Sequence, residues 1–291
     1  MPLQHKLTRI EKVLDYIHEH LDESIHVASL AEKSCWSRWQ FQRVFGEATG
    51  LTVAQYIREL RLSKAAELLL SSKKKHIDIA ILCGFDSEIS FSRAFKNMFN
   101  CTPREYRLRG KRQGLRTPLQ YRTEKTLAGD KLKAFTQIRI ESRDAFQLNG
   151  VHGWIHGPFS STPDFIERVP QLWKTIDKKN EYFAPTAQPI GIIDTHYHPQ
   201  NPDQMCYWAG YLGQPKNTYD TIDVPSQEYA VIPVHGKVAA VEQAVEWFIH
   251  RWLPESDYDG ISGYELEVYD PHYDPKSSQS YMEYWLPIKP R

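Results

Sequence analysis

Apolar residues recur at helical spacing through the first hundred positions of this chain and at strand-like alternation through most of the remainder. Leu7, Ile10, Val13, Leu14, Ile17 and Leu21 fall on one face of a helix. Val27–Lys33 reads as a short helix with Leu30 and Ala31 facing inward, followed by the compact turn Ser34-Cys35-Trp36. Ser37 then caps a second helix that ends near Thr49-Gly50, where glycine can supply the left-handed C-terminal residue. Val53–Ser71 predicts a long helix with no Gly or Pro inside. The same order is then written again: a short helix over 77–83, a turn at Gly84-Phe85, a helix over 87–97, and a last helical turn from Pro103 through Tyr106. This is a helix-turn-helix in tandem, and a helix of that size fits the major groove of B-DNA.

The stretch 107–116 is basic and carries Gly110 and Gly114, which suits a linker. From about residue 133 the period changes to two, as in Thr136-Gln137-Ile138-Arg139-Ile140 and Ala230-Val231-Ile232-Pro233-Val234. Helical stretches near 163–179 and 238–252 interrupt the strands. The order strand, strand, helix, strand, strand is followed by the same order again, an approximate internal repeat of about eighty residues. The expected fold is multidomain: an all-α tandem helix-turn-helix domain over 1–112, a linker over 113–129, and an α+β domain with antiparallel sheets over 130–291.

Length and composition agree with two domains that each bury a core: 291 residues, 41% hydrophobic and 25% charged. The net charge of zero conceals an asymmetry. Residues 1–112 hold 19 Lys and Arg against 13 Asp and Glu, a balance of +6, and the rest hold 17 against 23, a balance of −6. A basic first part suits a polyanion partner. The start of the chain lacks the apolar core of a signal peptide, and no run of about eighteen apolar residues exists, so a cytoplasmic protein with no membrane partner is expected. Cys35, Cys83, Cys101 and Cys206 form no CxxC pair and read as isolated buried thiols. Asp194, His196 and His198 lie in a Pro-bounded stretch that suits a solvated surface better than a metal, and no metal or other cofactor is expected.

The residues of the first part resemble the AraC/XylS family of bacterial transcription regulators over about residues 5–110. The resemblance is carried by Ser37-Arg38-Trp39 with Gln42-Arg43-Val44-Phe45, by Tyr56-Ile57-Arg58 with Arg61-Leu62, and by Gly84-Phe85-Asp86-Ser87 with Phe91-Ser92-Arg93-Ala94-Phe95-Lys96. Thr102-Pro103-Arg104-Glu105-Tyr106-Arg107 completes it. It implies two reading helices held apart by the long helix, and a regulator that binds double-stranded DNA as a monomer and works with RNA polymerase. Cys35 stands at a turn position where close relatives carry Gly. Trp39, Gln42 and Arg43 share a helical face and match positions that approach bases, where Arg43 can fork onto guanine and Gln42 onto adenine. Trp39 packed in the core and Arg43 in solvent is the bland alternative. In the second reading helix Glu88-Ile89 replace the Gln pair of the stress-response members, while Arg93 keeps its place. Glu88 accepting from cytosine and Ile89 meeting a thymine methyl would alter the sequence read there, and loss of base reading is the alternative. Arg38 and Lys96, with Arg58 and Arg104, are candidates for phosphate contacts.

The second part holds 18 of the chain's 24 Trp and Tyr residues, which suits either ordinary packing or an aromatic pocket for a flat or cationic ligand. Glu267 and Glu283 lie in alternating apolar segments and can point either into one cleft or onto a solvated face. Here the chain resembles the GyrI-like effector-binding domain, through Ser226-Gln227-Glu228-Tyr229-Ala230, Gly236, Trp252-Leu253-Pro254, Glu267-Val268-Tyr269 and Glu283-Tyr284-Trp285-Leu286-Pro287-Ile288. It implies a two-fold pseudo-repeat with a central cleft lined by aromatic rings and a carboxylate. Glu267, Tyr269, Glu283 and Trp285 are the expected lining by motif, with Tyr207 and Trp208 beside them. The resulting expectation is a sequence-specific activator controlled by a small-molecule, lipophilic cationic effector, with no catalytic residue. A protein-interaction module, and a hydrolase using Glu267 or Glu283 as general base, are the alternatives for the second part.

Overall fold

The computed structural model describes residues 3–122, 135–158, 160–177, 188–212 and 219–291. The second half of the expected linker (123–129), the first residues of the expected second domain (130–134), and the end of the helix expected to reach 179 lie outside them. The chain divides into two compact units, Met1–Glu141 and Ser142–Arg291.

The first unit contains α1 (Leu3–Glu19), α2 (Val27–Lys33), α3 (Arg38–Thr49), α4 (Val53–Ser71), α5 (His76–Leu82), α6 (Glu88–Phe99) and α7 (Pro103–Arg109). From the caps of the reading helices onward its two helix-turn-helix units repeat with an offset of fifty: Ser37 and Ser87 are the caps, and Phe41, Phe45 and Phe91, Phe95 anchor the helices. Gly50 and Asn100 end them in the left-handed region, at φ 75° and 54°. Thr52 and Thr102 cap the helices that follow, and Tyr56 and Tyr106 are buried one turn into those helices. The aromatic rings are the packing unit in both. Phe45 lies 6.0 Å from Tyr56 and Phe95 lies 5.4 Å from Tyr106, within the range that favours edge and tilted ring pairs.

Arg61, on α4, joins the two units. Its guanidinium donates to the carbonyl of Leu21 (2.9 Å), to that of Gly84 in the second turn (3.0 Å), and to that of Glu23. Gly84 makes this possible: a Cβ there would lie 2.7 Å from the guanidinium carbon, and its φ of 72° is one that side chains resist. The equivalent residue in the first turn is Cys35, which adopts φ 54° despite having a Cβ. Backbone bonds from Cys35 to Glu32 and from Trp36 to Ala31 close that turn, as Gly84 to Ile81 and Phe85 to Ala80 close the second. Arg9 supports the strained turn by donating to the carbonyls of Ser34 (3.2 Å) and Cys35 (3.3 Å). Cys35 is exposed, whereas Cys83, Cys101 and Cys206 are buried, so the expectation of four buried thiols fails at Cys35, whose side chain the left-handed turn leaves at the surface.

The segment after α7, expected as linker, is built into the first unit. β1 (Gln113–Arg116) pairs antiparallel with β4 (Arg139–Arg143), and β2 (Gln120–Tyr121) pairs with β3 (Phe135–Thr136). Leu119 and Phe135 enter the core formed by α1 to α4. The Tyr56 hydroxyl accepts from Leu119 N–H at 3.0 Å, and the Ser63 hydroxyl accepts from Arg116 N–H at 2.7 Å. The buried Tyr56 phenol is thus matched on two sides, by His18 Nε2 of α1 at 2.5 Å and by the segment expected as linker.

The second unit contains β5 (Phe146–Ile155), α8 (Phe165–Asp177), β6 (Pro189–Asp194), β7 (Met205–Leu212), β8 (Asp220–Val224) and β9 (Gln227–His235). These are followed by α9 (Ala239–Trp247) with a π-helical turn (Phe248–Trp252), α10 (Leu253–Glu255), β10 (Tyr258–Gly260), β11 (Tyr264–Tyr269) and β12 (Tyr281–Pro290). The strand order is β9-β12-β11-β6-β7-β5-β8, with β10 on β12 and every neighbour antiparallel. In each half a hairpin, β6–β7 or β11–β12, takes the earlier strand β5 or β9 on its outer side, and β6 meets β11 at the seam. One face of the sheet carries Leu148, Ile190, Ile192, Val231, Leu266 and Val268 in a common core. The opposite face carries Tyr207, Gly191, Glu267 and Tyr284, and α8 packs on it through Leu172 against Gly153 and Trp173 against Tyr207.

The two turns carry opposite expectations for substitution. Cys35→Gly should raise the first unit's stability by about 0.5–1 kcal/mol, since relief of a left-handed Cβ exceeds the added freedom of the unfolded chain. Gly84→Ala should cost at least about 2 kcal/mol, because the new Cβ strains the turn and displaces the Arg61 guanidinium. Denaturant unfolding of both variants checks the pair, and a stabilised Gly84→Ala or a destabilised Cys35→Gly would contradict it.

Candidate DNA interface and effector site

Ser37 caps α3 reciprocally. Its hydroxyl accepts from Gln40 N–H at 3.3 Å, and the Gln40 side chain accepts from Ser37 N–H at 3.1 Å. The helix buries Phe41 and Phe45 and therefore turns Arg38, Trp39, Gln42 and Arg43 outward, all four exposed. Trp39 is 66% exposed, which removes the reading that places it in the core. Its ring lies under the Arg43 guanidinium at 5.1 Å, and Arg43 Nε meets Glu47 at 3.3 Å. Both contacts are solvent-exposed and weak enough to be exchanged for a base.

On α6, Phe91 and Phe95 face inward, and Glu88, Ile89, Arg93 and Lys96 are all exposed. Ile89, at the position equivalent to Trp39, is 78% exposed. An isoleucine that open and attached to no core is surface held at the tip of the reading helix. Glu88 is the first residue of α6, where the helix dipole favours a carboxylate, and His76 Nδ1 lies 4.0 Å from it. Arg58 and Arg104 are exposed as well, on α4 and α7.

In the second unit, Tyr207, Glu267 and Tyr269 converge. The Tyr207 hydroxyl donates to Glu267 Oε2 at 2.6 Å, and the Tyr269 hydroxyl donates to the same oxygen. Trp173 Nε1 donates to the Tyr207 hydroxyl at 3.1 Å, with its ring 5.4 Å from that of Tyr269. Glu267 pairs across the seam with Gly191, and a Cβ there would overlap the Tyr207 hydroxyl and approach Glu267 Oε2 to 2.9 Å. Glu265, two residues earlier on the same face, accepts from the Tyr284 hydroxyl. Burial pushes the Glu265 carboxyl up to about 7, and the neighbouring Glu267 adds to the effect. Burial also raises Glu267, against the two phenol bonds that lower it. Among the described residues neither carboxyl has a Lys, Arg or His among the groups that shift it.

Trp208, Glu283 and Trp285 lie elsewhere. The β11–β12 register sets Glu267 opposite Tyr284 and Val268 opposite Glu283, so Glu283 and Trp285 occupy the face opposite to Glu267. A one-residue step in register exchanges faces, and the expectation that Glu267 and Glu283 share one cleft fails for that reason. Glu283 accepts from Tyr281 at 2.8 Å and from Trp285 Nε1 at 3.1 Å. Trp208 packs against the opposite-face core with its ring 4.4 Å from that of His152. Glu265, Tyr284, Trp173 and Gly191 belong to this candidate cluster and were missed by sequence reasoning. The two-residue spacing of Glu265 from Glu267 signals a shared face, and parity with Glu267 would have selected Tyr284 once the register was known. Nothing in the sequence points to Trp173 or Gly191. Asp194 accepts from His196 through its N–H (3.0 Å) and Nδ1 (2.6 Å), and lies 3.4 Å from His198.

Residues 30–109 match the helix-turn-helix domain family, HTH_18, and residues 139–288 match the integron-associated effector binding protein family, Cass2. The right origin-binding protein of Escherichia coli (strain K12) is 38% identical over 281 residues, which cover 92% of this chain and 92% of that one. The regulatory protein SoxS of Salmonella typhimurium is 38% identical over 100 residues, 34% of this chain and 94% of SoxS. The structure of SAV2435 bound to tetraphenylphosphonium aligns with a TM-score of 0.42 at 18% identity, over 52% of this chain and 93% of that one. The chain belongs to the AraC-type helix-turn-helix regulators that carry a C-terminal GyrI-like effector-binding domain. It is a DNA-binding transcription regulator with an effector-binding domain. Among the described residues no helix is long and apolar enough to cross a membrane.

The exposed residues of α3 and α6 divide into two kinds by what their loss should do. Arg43→Ala should weaken binding to a selected duplex by about 1–3 kcal/mol and relax the preference at one base pair. Lys96→Ala should weaken binding evenly across sequences and reduce the salt slope by about one. Sequence selection with each variant, repeated at two salt concentrations, distinguishes them. Arg43→Ala that leaves base preference intact would remove Arg43 from the reading set.

Proposed function

We propose that the chain is a cytoplasmic transcription activator, without catalytic activity, that binds double-stranded DNA as a monomer through Arg38, Trp39, Gln42 and Arg43 on α3 and Glu88, Ile89, Arg93 and Lys96 on α6. Two reading helices in one chain remove the need for a second copy, and RNA polymerase is the partner an activator of this kind engages. The effector is a lipophilic organic cation taken at Glu267, Tyr207 and Tyr269. One observation carries this reading: two half-buried carboxyl groups, Glu265 and Glu267, stand on one sheet face among phenols and an indole, and no positive charge among the described residues acts on them. Desolvated carboxylates are costly, and a cation with aromatic contacts offsets that cost.

Titration calorimetry of the full chain with rhodamine 6G and benzyltriethylammonium tests it. Glu267→Gln should weaken cation binding at least about ten-fold, as expected for loss of a charge-assisted contact. Glu265 titrates near 7 and attracts a cation only when ionised, so affinity should rise from pH 6 to pH 8 and Glu265→Gln should flatten that rise. Equal affinity for the cations in wild type and Glu267→Gln would remove the cation reading and favour a protein-binding second unit.

A further inference from the structure

The face of the sheet opposite Glu267 holds a group of the reverse charge. Arg143, at the end of β4, stacks its guanidinium over Phe146 at 4.3 Å and over Trp285 at 5.7 Å. Trp285 in turn meets the ring of Tyr229 at 5.5 Å and 71°. Tyr229 pairs with Pro287 and Val231 with Trp285, which puts the Tyr229 and Trp285 side chains on the same face.

Three features make this cluster more than a packed arginine. First, among the described residues no carboxylate, carbonyl or hydroxyl accepts from the Arg143 guanidinium, and its only electrostatic neighbour is Tyr229. A guanidinium carries five N–H donors, and aromatic stacking satisfies none of them. Second, the Tyr229 hydroxyl accepts from Gln227 Nε2 at 2.7 Å, so its own proton is left to donate, although the residue is fully buried. Buried donors are nearly always matched. Third, Glu283, the carboxylate beside Trp285 on β12, is engaged by Tyr281 and by Trp285 Nε1. Arg143 and Tyr229 therefore both lie against Trp285, and among the described residues no acceptor takes the guanidinium N–H groups or the phenol proton.

We propose that Arg143 and Tyr229 form a second ligand site, for an aromatic carboxylate. The carboxylate takes the guanidinium fork and the phenol proton, and the ring lies against Phe146 and Trp285. Planar bidentate recognition favours a carboxylate over a single-atom anion such as chloride. The site is separate in residues and in charge from the one at Glu267 and does not depend on it. One domain would then read a cation on one sheet face and an anion on the other.

Binding of 2-naphthoate to the full chain tests the proposal, followed by calorimetry and by tryptophan emission, since Trp285 lies in the site. Saturable binding is expected, weakened at least about ten-fold in Arg143→Gln and several-fold in the near-isosteric Tyr229→Phe, and unchanged in Glu267→Gln. The neutral analogue 2-naphthalenemethanol should bind at least about ten-fold more weakly than the carboxylate. If Arg143→Gln fails to fold, Tyr229→Phe and the neutral analogue decide the matter. No saturable binding of 2-naphthoate, equal affinity for the neutral analogue, or loss of binding in Glu267→Gln with Tyr229→Phe unaffected would each overturn it.

Discussion

The reading half of this chain depends on one arginine. Two helix-turn-helix units read DNA together only if their reading helices keep a fixed separation and angle, and α4 alone fixes the separation. Arg61 ties α4 to both, because its guanidinium holds carbonyls of the loop between α1 and α2 (Leu21, Glu23) and of the second turn (Gly84) at once. Burial makes the charged guanidinium less favourable than in water, and the carbonyl dipoles answer that cost. The geometry propagates outward: Gly84 must lack a Cβ, the second turn must be left-handed, and α6 starts where that turn releases it. Tyr56 and Tyr106 close the same framework from the other side, each bonding its hydroxyl to backbone downstream of α7, at Leu119 and Gln113.

The sensing half rests on a comparable close approach. Glycine at position 191 lets the Tyr207 hydroxyl and Glu267 meet across the seam, and among the described residues the carboxyl accepts from two phenols, Tyr207 and Tyr269. Neutral donors stabilise an anion less than a cation does, so the domain holds unspent electrostatic attraction at that point. A bound ligand controls a regulator only through different affinity for its active and inactive states. A site whose ionisation, hydrogen bonding and occupancy are coupled gives such a difference a physical origin, since any shift of Tyr207 or Trp173 alters what Glu267 offers.

Much of this was legible in the chain, unevenly. The start of α3 was plain because Ser37 is a cap with one local function, and Val53–Ser71 carries nothing that interrupts a helix. The exposed face of α3 was legible because helical periodicity separates Phe41 and Phe45 from Trp39, Gln42 and Arg43 without reference to any other element. A linker over 113–129 was expected because the basic, Gly-containing composition of 107–116 resembles one, while Ser63 and Tyr56, which bond Arg116 and Leu119, lie far away in sequence. Glu283 and Trp285 were assigned to the wrong face for a related reason. Alternation along β12 shows which residues share a face, and only the register against β11 shows which face that is.

The same limit explains why charge was the weaker guide. The acidic balance of residues 113–291 is an average over side chains that the sheet sorts onto opposite faces. Glu265 and Glu267 stand on one face with phenols; Arg143 stands on the other between two rings. A sheet that alternates its side chains can keep acidic and basic side chains on opposite faces within one small domain, because the backbone between them prevents the ion pair they would otherwise form. Separation of that kind costs stability, and each charge then retains the capacity to bind something from solution. The two-fold repeat supplies the arrangement: its seam places strands with different side chains, β6 and β11, at the centre of a domain whose halves are otherwise built alike.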